Sequence, residues 1–273
     1  MPALIFDCDG VLIDTEKGGH LRAFNQMWRE FGIPWNWSTE QYAAKLQISG
    51  GKERLSSLQY EADFRAAWGI PITPTEWDRV VAVWHRRKTQ IFLDIIKDGG
   101  VAPRPGVRRL AEEAHAAGWP LAIASASAEP SVRAALRHVM GDRLAAAFHV
   151  LAGDSVHAKK PAPDVYELAA QTIGTAPSDC IVVEDTRNGV RAALAAGMTC
   201  LVTPTGLSAG HDFTGASLVV SSLGSACTAE QTTVLSNPRQ MDITDQVDLS
   251  HLAQLICHPE ASRSTLATAH HST

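Results

Sequence analysis

Asp7 and Asp9 stand one residue apart at the end of a short apolar run, Leu4-Ile5-Phe6, and Gly10 follows them. In a strand both carboxylates point to the same side, because side chains alternate with period two. Acids held that close repel each other. Either a cation sits between them, or they divide the work of nucleophile and acid, or the stretch is only a polar turn. Gly10 lets the backbone leave the strand without a Cβ penalty.

Three more polar groups follow apolar runs of the same kind. Ser125 comes after Leu121-Ala122-Ile123-Ala124, Lys160-Pro161 after Phe148-His149-Val150-Leu151, and Glu184-Asp185 after Cys180-Ile181-Val182-Val183. Taken singly, Ser125 reads equally as a helix cap, Lys160 as a solvated lysine, and Glu184-Asp185 as acids loading a helix N-terminus. Taken together, each sits just past a strand, and open parallel sheets bind ligands at the carboxyl ends of their strands. Four acids, a hydroxyl and an ammonium on one rim have the composition of a site for a cation and a phosphate. The carboxylates suit Mg²⁺, which prefers oxygen ligands, and leave Ser125 and Lys160 for phosphoryl oxygens.

The elements that must position these groups can be read from periodicity. Apolar strands without polar alternation, separated by amphipathic helices, predict a parallel sheet covered on both faces from Pro105 onward, joined by the strand Leu4–Phe6. Between them no strand-like run interrupts Gly18 to Lys97, and Leu21, Phe24, Met27, Trp28 and Phe31 recur at helical spacing. The last helix of that region has Thr75 as candidate N-cap. The expected architecture is α/β: a Rossmann-like parallel core, residues 1–16 plus 98–224, with an all-helical cap, 17–97, inserted after its first strand. Residues 225–273 read as a polar extension, irregular over Ser225–Gln240, helical near 249–257 and disordered from Pro259.

Composition excludes several classes. The chain has 273 residues, 45% hydrophobic and 19% charged, with a formal net charge of -5 and no long basic run, which argues against nucleic acid as a partner. No apolar stretch approaches the ~20 residues that span a bilayer. Five widely spread cysteines form no C-x-x-C pair, so a reducing compartment is expected. With its core strand begun by residue 4, the chain is expected in the cytoplasm, or in the plastid stroma if a transit peptide has been removed. A monomer is expected, since core and cap must hinge freely.

The ordered set Asp7-Cys8-Asp9, Ser125, Lys160-Pro161 and Glu184-Asp185 resembles the haloacid dehalogenase superfamily of phosphotransferases. The resemblance runs up to about Leu223, and the second aspartate, Asp9, is the mark of its phosphoryl-transfer members. It implies Asp7 as nucleophile, Asp9 as general acid and base, and Ser125 with the Ala126 amide as phosphoryl ligands. Lys160 would supply the neutralising cation. Mg²⁺ would be held by Asp7, Asp9 (through its carbonyl), Asp185 and Glu184. Within the superfamily, His20-x-x-Ala-Phe-Asn and Gly50-Gly51-Lys52-Glu53-Arg54 resemble the CbbY group. Those proteins are phosphatases acting on xylulose 1,5-bisphosphate. That resemblance aims Glu16, His20, Gly51, Lys52, Arg54, Lys88 and Asn188 at a small phosphorylated sugar. A β-phosphoglucomutase, which shares all four core motifs, and a catalytically silent sugar-phosphate binder are the alternatives.

Overall fold

The computed structural model describes residues 1–68, 73–225 and 230–257. Its centre is a seven-stranded sheet in the order β3-β2-β1-β4-β5-β6-β7. The strands are β1 Ala3–Phe6, β2 Leu121–Ala124, β3 Phe148–Leu151, β4 Cys180–Glu184, β5 Thr199–Val202, β6 Leu218–Val220 and β7 Val234–Ser236. All neighbouring pairs are parallel except β6 with β7. The chain builds β1, β2 and β3 outward in one direction, then returns to lay β4 on the other side of β1. The sheet therefore reverses its strand order at β1, and such switch points open a crevice at the carboxyl ends.

Alternate residues of these strands enter two cores. Leu4, Phe6, Ile123, Ile181, Val183 and Leu201 join one. Ala3, Ile5, Ala122, Ala124, Val182 and Val202 join the other, beneath α8 (Asp164–Ile173) and α9 (Arg187–Ala195). Burial on both faces is why the strands lack polar alternation.

The region between β1 and β2 is helical, as expected. A π-helical turn, Glu16–Leu21, runs into α1 (Arg22–Glu30), followed by α2 (Thr39–Lys45), α3 (Gly51–Ser57), α4 (Ala62–Trp68) and α5 (Pro74–Lys97). Its interior is aromatic: Trp35 meets Phe64 edge-on at 5.1 Å between centroids, and Trp68 and Trp77 lie 5.2 and 5.7 Å from Trp84. Edge-to-face pairs at such distances add to area burial. The start of α5 differs from the expectation by two residues. Thr73, not Thr75, is the N-cap: its side chain accepts from the Glu76 amide, Glu76 bonds back to the Thr73 amide, and Pro74 takes the first turn.

The tail also differs. Part of the stretch expected to be irregular forms β7, which pairs antiparallel with β6 and is itself the edge strand. The final helix, α10 (Leu249–Cys257), packs on α6 (Val107–Ala116), where Arg109 donates to the carbonyls of Leu223 and Val247 at 3.1 and 2.9 Å. The stretch from Pro259, expected to be disordered, lies outside the described residues. Among the described residues no helix is long and apolar enough to cross a membrane.

Candidate active site

Register brings the motif residues to one rim. Phe6 pairs with Ile123 on one side and Val183 on the other, so Asp7 emerges level with the ends of β2 and β4. The Asp7 amide continues the ladder to the Val183 carbonyl at 2.9 Å. Lys160 reaches in from the loop after β3. Its ammonium donates to Asp7 Oδ1 (3.0 Å), Glu184 Oε1 (2.7 Å), the Ala124 carbonyl (2.9 Å) and the Tyr166 hydroxyl (2.9 Å). Burial alone would lower its pKa, but Asp7 and Glu184 reverse that and raise it.

Asp7, Glu184 and Asp185 offer carboxylate oxygens within 4.8 Å of one another. Among the described residues, only Lys160 forms an ion pair with them, through Asp7 and Glu184. Burial, then the charges of Glu184 and Asp9, push the Asp7 acid up to about 7 against the pull of Lys160. Asp185 is raised well above the carboxylate range, by burial first and then by Glu184 and Asp7. Its Oδ1 is buried with no hydrogen-bond partner. An orphaned carboxylate oxygen beside two further acids fits a hard divalent cation with oxygen ligands. Gly10 makes room for this arrangement. At φ +79° it lies so close to Asp185 that a Cβ would stand 2.2 Å from Oδ2.

Glu184 is committed differently. Oε1 takes Lys160 and the Tyr166 hydroxyl (2.5 Å), while Oε2 takes the amides of Asp185 (3.0 Å) and Thr186 (3.2 Å). Burial would raise its acid, and Lys160 outweighs that to hold it low. It acts as the anchor of Lys160 and of the loop carrying Asp185. The N-terminal turn of α9 lies over it, and a Cβ at Gly189 would stand 1.8 Å from Glu184 Cδ.

Asp9 faces the cap rather than the other acids. Oδ1 accepts from Thr15 Oγ1 (2.7 Å) and His20 Nε2 (2.8 Å), and Oδ2 from the Ser127 hydroxyl. Burial would raise this acid, but His20, Ser127 and Thr15 hold it well below the usual carboxylate range. Behind it, Lys88 Nζ lies 2.8 Å from His20 Nδ1.

Ser125 is buried on the rim, and its Oγ accepts from the Ser127 amide at 3.2 Å. With Ala126, Asp7, Asp9 and Lys160 it lines a cavity of about 50 Å³, roofed from the cap by Gly50, Gly51 and Arg54. Glu16 enters from the hinge side and accepts from Tyr42 OH (2.6 Å), which accepts from Arg54 Nη1 (2.9 Å). A second cavity of about 590 Å³ adjoins the first at Gly51 and Ala126, and Lys52, Arg86 and Lys159 line it. Thus Glu16, Gly51 and Arg54 join the inner site, and His20 and Lys88 stand behind Asp9. Lys52 faces only the outer cavity. Asn188 lines neither.

Thr15, Tyr42, Ser127 and Tyr166 were not singled out from sequence. Ser127 had a signal, its place two residues beyond Ser125 in the same loop. Tyr166 had none, since its partnership with Glu184 depends on α8 crossing beneath the sheet.

This geometry is that of a phosphoryl-transfer enzyme, and comparison with known proteins agrees. The family profile of the haloacid dehalogenase-like hydrolases matches residues 1–197, and the chain belongs to that family. It is a phosphatase of that fold. Among curated proteins it is 40% identical over 225 residues to the plasmid-encoded protein CbbY of Cupriavidus necator, covering 82% of this chain and 86% of that one. It is likewise 40% identical over 222 residues to a CBBY-like protein of Arabidopsis thaliana, covering 81% and 69%. Among solved structures it matches a mutant CbbY of Rhodobacter sphaeroides in complex with xylulose-(1,5)bisphosphate. The identity is 36% and the TM-score 0.73, with 81% of this chain and 95% of that one covered.

Proposed function

We propose that the chain is a Mg²⁺-dependent phosphatase that hydrolyses a small sugar bisphosphate, xylulose 1,5-bisphosphate above others, through an aspartyl phosphate. The observation that carries this reading is the inner cavity, where Asp7, Lys160 and Ser125 line a space of phosphoryl size. It adjoins a chamber, lined by Lys52, Arg86 and Lys159 together with Glu53 and Glu129, large enough for the rest of a sugar ester. The CbbY structure that binds this bisphosphate supports the choice of substrate.

In this reading the Asp7 carboxylate attacks phosphorus, forming an Asp7–O–P bond as the bond to the sugar oxygen breaks. Lys160, already bonded to Asp7, offsets the charge of the incoming phosphoryl group. Ser125 Oγ and the Ala126 amide hold its oxygens. Mg²⁺ held by Asp7, Asp185 and the Asp9 carbonyl would add the positive charge that lets a dianion approach a carboxylate. His20, Ser127 and Thr15 hold the Asp9 acid low, so in this reading Asp9 takes up a proton from solvent only as the phosphate dianion enters beside it and repels its charge. It gives that proton to the leaving oxygen and then, as the carboxylate, takes one from the water that cleaves the aspartyl phosphate and frees Asp7.

We place the α/β core at 1–16 plus 98–224 and the cap at 17–97, working as a monomer in a reducing compartment. Buried, unpaired Cys8, Cys180 and Cys200 support the compartment.

The test is phosphate release with Mg²⁺ from xylulose 1,5-bisphosphate, ribulose 1,5-bisphosphate, fructose 1,6-bisphosphate, phosphoglycolate and β-glucose 1-phosphate. The expected result is a kcat/KM for the xylulose ester at least about tenfold above the others, about 1.4 kcal/mol in transition-state binding. Isomerisation of β-glucose 1-phosphate without phosphate release would replace the phosphatase reading with a mutase.

A further inference from the structure

The roof of the inner cavity is the short segment between α2 and α3, from which Leu46, Ser49 and Gly50 face the site. It is gripped from two sides. From the cap, Arg54 Nε donates to the Ile48 carbonyl at 2.9 Å. From the core, Asn188 Nδ2 donates to the Gln47 carbonyl at 2.9 Å and lies 3.5 Å from Ser49 Oγ. His211 Nε2 stands 3.5 Å from the Gln47 side-chain amide.

Asn188 is firmly based for such a role. It is the second residue of α9, whose N-cap Thr186 accepts from the Gly189 amide at 3.1 Å. It lies three positions beyond Asp185, so the hydrogen bond to Gln47 joins the roof to the segment that carries a candidate metal ligand. Only when the cap is down on the core can these atoms meet.

We propose that Asn188 is a positioning residue that latches the roof segment in the closed state rather than a group that binds substrate, as its place in the sequence suggested. By holding the Gln47 carbonyl it sets where Gly50, Gly51 and Arg54 stand over the sugar, and so governs substrate binding without touching substrate. The kinetic part of this proposal rests on the phosphatase reading above.

Two variants separate the latch from a simple stabilising role. Asn188→Ala removes the donor. Asn188→Asp keeps the shape but presents a carboxylate to a carbonyl, while favouring the first turn of α9 through the helix dipole. The latch therefore predicts that Asn188→Asp is at least as heat-stable as Asn188→Ala yet the more impaired of the two. Expected is a KM for the preferred sugar bisphosphate raised about fivefold in Asn188→Ala and further in Asn188→Asp, as for loss of one hydrogen bond. Turnover of p-nitrophenyl phosphate, which has no sugar to place, should stay within about twofold of wild type. Amide hydrogen exchange over residues 46–50 should quicken in both variants while that of β1 and β4 does not change. Unchanged exchange over 46–50, or an unmoved KM, overturns the proposal. Exchange is read without substrate, so a wild-type protein inactive on every sugar phosphate sinks the phosphatase reading while the latch is still judged by exchange.

Discussion

Lys88 Nζ lies 2.8 Å from His20 Nδ1, and the opposite ring nitrogen of His20 lies 2.8 Å from Asp9 Oδ1. An ammonium can only donate, so Nδ1 must accept, and the network assigns the ring proton to Nε2, where it is donated to Asp9. Phe92 stacks on the imidazole at 4.0 Å between centroids, and Lys88 sits against the faces of Phe24 and Phe92. A buried lysine thus fixes the tautomer that keeps Asp9 in place.

This arrangement costs stability. Burial drives the Lys88 pKa down from 10.5 to about 8, against the pull of Asp9 and Glu16. The difference corresponds to a penalty on the order of 3 kcal/mol for keeping the side chain charged. Lys88→Met, which fills the space without a charge, should raise the Tm by about 2 °C or more and lower kcat at least about tenfold. Paired thermal melts and steady-state kinetics check this, and a variant that is both less stable and fully active would contradict it.

The same group gives a pH signature of definite sign. Because the folded pKa lies below the unfolded one, the unfolded chain binds more protons between about pH 8 and 10.5. Stability owed to this group therefore rises with pH across that window. The penalty is complete below about 8 and gone above 10.5. Urea unfolding of wild type and Lys88→Met at pH 7.5 and 10 should show the variant's advantage shrinking with pH. An advantage that grows with pH would reverse the assignment.

What the sequence made legible was what lies next to a strand end. Asp7, Ser125 and Glu184 each follow an apolar run directly, with Asp185 next in line and Lys160 in the loop that leaves the third run, so period and adjacency place them without tertiary information. The partners that tune them come from far along the chain. Tyr42 reaches Glu16 across 26 positions and Asn188 reaches Gln47 across 141, and no local pattern encodes such meetings. The resemblance aims Asn188 at the sugar, while its hydrogen bond to Gln47 depends on the cap lying over the core. Strand β7 escaped because its residues are exposed on an edge, where neither alternation nor burial marks a strand.

Gly10→Ala should disable the site by sterics alone. The new methyl would meet Asp185 Oδ2 in a backbone conformation, φ +79°, that alanine rarely adopts. Asp185 must move, and apparent Mg²⁺ affinity, measured by titration calorimetry, should fall about tenfold or more. Affinity equal to wild type would mean that Asp185 holds no metal or that the turn relaxes freely.

Asp7→Asn should abolish turnover while leaving the fold intact. The substitution keeps the shape and removes the attacking carboxylate. Circular dichroism and exhaustive phosphate-release assays on protein free of wild-type carry-over provide the check, and measurable turnover there would refute Asp7 as nucleophile.

Tyr166→Phe tests whether Lys160 is held from behind. The phenol is fully buried, donates to Glu184 Oε1 at 2.5 Å and accepts from Lys160 at 2.9 Å, with the ammonium 4.6 Å from the ring centroid. Phenylalanine keeps the ring beneath Lys160 but leaves the fully buried Glu184 one donor short. That loss should destabilise the protein by about 1–3 kcal/mol. Because the hydroxyl does not face the cavity, KM should hold while kcat falls about tenfold, roughly 1.4 kcal/mol of transition-state stabilisation lost as Lys160 shifts from Asp7. A rise in KM with kcat unchanged would instead mean that Tyr166 shapes substrate binding, and that Lys160 keeps its position through Asp7, Glu184 and the Ala124 carbonyl alone.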